Sequence, residues 1–112
     1  MIIAIPVAQG RLCPHFGHPE HFALLHVDEQ GETVFRTETV TPPPHAPGVL
    51  PEWLADLGVN VVLVGGIGSR AKSLFVQKGI TVITGVPAED PGIVVQAYLA
   101  GTLVTGDNAC DH

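Results

Sequence analysis

Two hydrophobic rhythms divide this chain and leave few ways to fold it. Leu50, Trp53, Leu54 and Leu57 recur at i, i+3, i+4 and i+7, the stripe of an amphipathic helix, and Gly58 follows as its stop. Residues 59–64 read as a strand of the buried type, with an unbroken apolar run over 61–64. Gly65-Gly66-Ile67-Gly68 reads as a tight strand-to-helix turn, with Ser69 available to cap the helix whose inner face is Ala71, Leu74 and Phe75 and whose stop is Gly79. A strand over residues 80–83 and a helix over 91–100, with Pro91 suited to its first turn, complete this half.

The first half has a different period. Residues 2–7 are apolar without interruption, as in a strand covered on both faces, and Pro6 predicts an end or bend there. Residues 8–19 read as a polar loop and 21–27 as a second strand. A turn at Asp28-Glu29-Gln30-Gly31 leads to residues 33–40, whose interleaved Thr, Val and charged residues suit a half-exposed edge strand. The proline-rich stretch 41–48 excludes helix and central strand. Three antiparallel strands followed by alternating helices and strands predict α/β architecture with the first strand beside the fourth. Ligands of such sheets bind outside the carboxyl ends of the parallel strands, here loop 8–19, turn 65–68 and loop 85–91.

The chain has 112 residues, enough for one core and too few for two. The expected division is a single α/β domain over residues 1–101 and a polar carboxyl-terminal tail over 102–112. Five Lys+Arg against eleven Asp+Glu give a net charge of −6, which argues against nucleic acid as a partner. No apolar run approaches the roughly 20 residues of a bilayer span, and the amino terminus has no cationic start of the signal-peptide kind. With two cysteines, these features predict a cytoplasmic protein whose thiols act as thiols or ligands.

The sharpest chemical feature is a repeated triplet, Cys13-Pro14-His15 and Cys110-Asp111-His112. In an extended segment residues two apart share a side, so each triplet can present a thiolate and an imidazole together. Two such pairs supply four soft donors, suited to zinc, copper(I) or iron–sulfur species. The bland alternative is a thiol and a tail that happens to end in Cys and His. His18, in the same loop as Cys13, and His45, beside the first helix, are second-rank ligands; His26 reads as an ordinary strand histidine. The backbone of Gly65, Gly66, Gly68 and Ser69 is a candidate anion or cluster cradle, or simply a turn packed close to its helix. Catalysis has thin support: there is no nucleophile elbow, and the first strand carries no carboxylate.

In order and spacing, several segments carry a family resemblance. They are Ile3-Ala4-Ile5-Pro6, His15-Phe16-Gly17, Phe22, Leu50-Pro51-Glu52-Trp53-Leu54, Gly58-Val59, Gly65-Gly66-Ile67-Gly68-Ser69-Arg70-Ala71, Gly79-Ile80-Thr81-Val82 and Thr84-Gly85. Together they resemble the dinitrogenase iron–molybdenum cofactor biosynthesis family, the domain of the nitrogenase accessory proteins X and Y and of the carboxyl-terminal part of the B protein. The resemblance implies a ribonuclease H-like fold with a mixed five-stranded sheet and three helices. It also implies a non-catalytic role in binding, carrying or storing an iron–sulfur or molybdenum-containing cluster, with cluster donor and acceptor proteins as partners. His15 matches the histidine of the family's His-Phe-Gly, and Cys110 with His112 looks like the Cys-x-His tail of a subset of members. Cys13 departs from the usual pattern and favours a thiolate-held metal. The alternatives are a structural mononuclear zinc or copper(I) site, or a metal-free interaction module, monomeric or weakly homodimeric through the 33–40 edge.

Overall fold

The computed structural model describes residues 1–14, 19–44 and 48–106. In chain order these residues form β1 (Ile2–Ala8), β2 (Arg11–Leu12), β3 (His21–Val27), β4 (Val34–Val40), α1 (Val49–Asp56), β5 (Val61–Leu63), α2 (Ser69–Gln77), β6 (Thr81–Ile83) and α3 (Pro91–Ala100). The fold is mixed α/β: one sheet in the order β4-β3-β1-β5-β6, with β2 added to β1 as a sixth strand. β1 pairs antiparallel with β3 and parallel with β5, and β6 is parallel to β5. The first strand therefore lies beside the long-range strand the sequence predicts, and β4 is the expected edge.

The unbroken apolar run of β1 is explained by two cores. Ile3, Ile5 and Val7 join Leu12, Leu25, Leu63, Val94 and Val95 on the α3 side. Ala4 faces the other way, with Phe22, Leu24, Leu54, Val62 and Phe75 under α1 and α2. Phe22 and Trp53 meet edge to face, with ring centroids 5.7 Å apart. His26 shares this second side, where its Nε2 lies 2.6 Å from a Glu38 carboxylate oxygen, so it is a partnered strand histidine as expected.

Two local expectations need correction. β1 does not end or bend at Pro6; it runs on to Ala8, with Pro6 opposite Phe22. The missing N–H does no harm because it falls on the side of β1 facing away from β3, beyond the positions at which β5 pairs. There β2 takes over, and the Cys13 N–H donates to the Pro6 carbonyl at 2.8 Å. The polar loop expected over residues 8–19 accordingly begins with a strand. Ala8 pairs with Arg11 around a two-residue turn, Gln9-Gly10, in which both residues have positive φ (55° and 77°). This is the twist a tight hairpin requires. The Gln9 N–H is also held by the Glu20 carboxylate.

The helices begin and stop near the predicted places. α3 opens at Pro91, with the Asp90 side chain accepting from the Gly92 N–H at 2.8 Å. α2 differs from expectation: its N-cap is Gly68, in extended conformation and without a side-chain cap, and Ser69 is already inside the helix.

Candidate metal-cluster site

The parallel strands β1, β5 and β6 all deliver their carboxyl ends to one edge of the sheet, as the sequence predicts for a ligand site. Cys13 is the candidate ligand that the described residues include. It follows β2 directly, and alternation from Leu12, which faces α3, places it on the Pro6 and Phe22 side. It is buried, with 8% of its surface exposed, rather than displayed on a polar loop. His15, His18, His45, Cys110 and His112 lie outside the described residues. Among the described residues no three His, Cys, Asp or Glu side chains are grouped as metal ligands.

Backbone contacts link the four segments at this edge in series. The Pro14 carbonyl accepts from the Gly66 N–H, the Gly65 carbonyl from the Gly85 N–H, and the Gly85 carbonyl from the Gly106 N–H, each at 2.8 Å. Glycine is required at two points of this relay. A Cβ on Gly65 would lie 2.8 Å from the Pro14 carbonyl oxygen, and one on Gly85 only 1.9 Å from that of Gly106. Gly85 also has a φ of +72°. Gly65 and Gly66 thus brace the first loop, while Gly68 and Ser69 stand at the start of α2.

The relay shows that residues 102–106 are more than a polar tail. Leu103 packs against the α3-side core and Gly106 is hydrogen-bonded to Gly85, which returns the chain to the edge carrying Cys13. Gly106 and Pro14 are positions at this edge that reading the sequence does not reveal. Both act through backbone atoms, which leave no periodic or chemical signature.

The edge carries charges of both signs, with Glu20, Glu89 and Asp90 among its carboxylates. Arg11, Arg70 and Lys72, three of the chain's five cations, occupy β2 and the beginning of α2. The first turn of α2 holds no acidic residue. Cations at a helix N-terminus oppose the helix dipole and are unfavourable to the helix itself. On the α3 side of the same edge lies an open groove of about 510 Å³ bordered by Gln9, Arg11, Glu89, Asp90 and Ile93; Cys13 is not part of its lining.

Fold and edge together define an α/β protein with a buried cysteine and glycine turns at the carboxyl ends of its parallel strands. The chain belongs to the dinitrogenase iron-molybdenum cofactor family, whose sequence profile matches residues 1–101. It is 38% identical over 86 residues to the uncharacterized protein MJ0580 of Methanocaldococcus jannaschii, an alignment covering 73% of this chain and 72% of that protein. The crystal structure of PH0822 is similar with a TM-score of 0.86 and 34% identity, over 94% of each chain. The apo form of the orange protein from Desulfovibrio gigas has the same fold, with a TM-score of 0.74 and 24% identity over 96% of this chain and 93% of that one.

Proposed function

We propose that this protein binds and carries an anionic metal–sulfur cluster, iron–sulfur or molybdenum-containing, without turning it over. Cys13 and His15 act from the loop after β2 and Cys110 and His112 from the carboxyl-terminal segment, with His18 and His45 as auxiliary ligands. Family membership supports the cargo class. The observation that carries the reading is the relay from Pro14 through Gly65, Gly66 and Gly85 to Gly106. It anchors the chain four residues before Cys110 on the edge where Cys13 sits, and four residues span at most about 14 Å. Thiol and imidazole donors suit iron, molybdenum and copper rather than magnesium or calcium. The Gly68–Ser69 helix start, with no acidic residue in its first turn, is compatible with a negative guest.

In this reading the protein works in the cytoplasm between a cluster donor and an acceptor. Among the described residues no helix is long and apolar enough to cross a membrane. In this reading the fold is ribonuclease H-like, which the order β4-β3-β1-β5-β6, taken without the two-residue β2, supports. Such a sheet serves as a scaffold for binding here, because its central β1 offers no carboxylate.

The test is anaerobic reconstitution with iron and sulfide, and separately with thiomolybdate, followed by metal and sulfide analysis and absorption spectra. Wild type retains a coloured cluster; the Cys13→Ser/Cys110→Ser variant loses most of it. Equal retention by both would refute the ligand assignment. One zinc or copper(I) per chain, with no sulfide, would instead establish a mononuclear site.

A further inference from the structure

β4 is an edge strand with a self-complementary sequence. Among the described residues its one neighbour in the sheet is β3. It reads Val34-Phe35-Arg36-Thr37-Glu38-Thr39-Val40, and Phe35 is 67% exposed on an otherwise polar edge. An antiparallel pair of identical strands has a two-fold axis, and the residue on that axis faces its own copy. With Thr37 on the axis, Arg36 of each copy stands opposite Glu38 of the other. Moving the axis to residue 36 or 38 sets Arg36 against Arg36, or Glu38 against Glu38. Of these three central registers, charge selects the one about Thr37.

We propose that β4 is a homodimer interface, in which two copies of this chain pair antiparallel about Thr37 to form one continuous sheet. Arg36 and Glu38 already lie 3.4 Å apart on the same strand, so a second copy extends this pair into a four-charge cluster across the axis. His26, bonded to Glu38 from β3, orients that carboxylate. The bulge at Phe35, where the register with β3 shifts, twists the far end of the strand. It confines regular pairing to the central residues and leaves Phe35, whose ring lies 6.1 Å from that of His26, on the face that carries Arg36 and Glu38. The same charges that keep unrelated strands from this edge are thus matched for its own copy. The cluster site lies on a different edge, at the carboxyl ends of the parallel strands, and pairing through β4 leaves it open.

Sedimentation equilibrium of the intact protein over a range of concentrations tests this. Wild type associates to a dimer. Arg36→Glu and Glu38→Arg each turn two attractive cross-axis pairs into repulsive ones and raise the dissociation constant about tenfold or more. Circular dichroism establishes that both variants are folded. Mixed in equal amounts, the two variants recover the dimer, because each then meets its complement. A wild type that stays monomeric at every concentration overturns the proposal. So do reversals that dimerise as well as wild type, or a mixture that fails to associate although wild type does.

Discussion

Asp28 shows how much structure one side chain can organise in a turn. Its Oδ1 accepts from the Glu32 N–H at 2.9 Å and the Thr33 N–H at 3.3 Å, closing the connection between β3 and β4. The Glu32 N–H, foremost among these donors, holds the Asp28 carboxyl below its ordinary value of 3.8. The direction fixes the pH behaviour. The folded state favours the ionised form, so the turn's contribution to stability is complete above the unfolded value and is lost as pH falls through the folded one. Titration of the Asp28 carboxyl carbon by NMR should give a midpoint below 3.8, and Asp28→Asn should abolish that part of the acid dependence; a midpoint at or above 3.8 would contradict the assignment. Gln9 is the counterpart in the other hairpin, a residue whose conformation is imposed on it. Its positive φ is maintained by the β1–β2 pairing and by Glu20, not by any preference of glutamine.

At the scale of elements, the start of α2 is where stability and binding compete. Gly68 caps this helix without a side chain, its backbone is extended, and a Cβ there would meet nothing within 4 Å. An aspartate fits and would bond the first free N–H groups. Gly68→Asp is expected to stabilise the protein by a few tenths of a kcal/mol in denaturant unfolding. The same carboxylate would occupy the anion position, so cluster retention should fall. A variant that gains stability and retains the full cluster would separate α2 from the cargo. The elements themselves were legible where side chains carry the signal. β1 reads as buried on both faces, α1 by its stripe, α3 by Pro91, β4 by its polar interleaving. β2 was hidden because its turn, Gln9-Gly10, lacks the Asn-Gly or Asp-Gly signature of a two-residue hairpin. Pro6 misled because whether a strand tolerates proline depends on which neighbour its missing N–H would face, and that is decided by where β5 stops. Of the candidate site, the edge and Cys13 could be read from the sequence. The relay through Pro14, Gly65, Gly85 and Gly106 could not, since it consists of backbone atoms and the absence of side chains.

Across the whole molecule, the two cores and the cluster edge are separable, and Gly85 is the position that tests it. The cores hold β1 from both faces and draw on Gly85 for nothing; Val86, its neighbour, supplies the buried side chain. Gly85→Ala introduces two conflicts at once: a left-handed backbone costing about 1–2 kcal/mol for an L-residue, and a methyl group driven into the Gly106 carbonyl. The cheaper relief is for residues 103–106 to leave the edge, because beyond Thr102, which is bonded to Ala97, the anchors among the described residues are half-buried Leu103 and the Gly106–Gly85 hydrogen bond. The expected outcome is a protein that still unfolds cooperatively, destabilised by about 1–2 kcal/mol, in which the Gly106 amide loses hydrogen-exchange protection while the β1 and β5 amides keep theirs. All six candidate side-chain ligands remain in this variant, yet its cluster content after reconstitution should drop toward that of Cys13→Ser/Cys110→Ser. Full retention would mean that the cargo is held without the carboxyl-terminal segment being anchored beside Cys13. Loss of protection throughout the sheet would instead make Gly85 a determinant of the fold itself, and the separation between scaffold and site would fail.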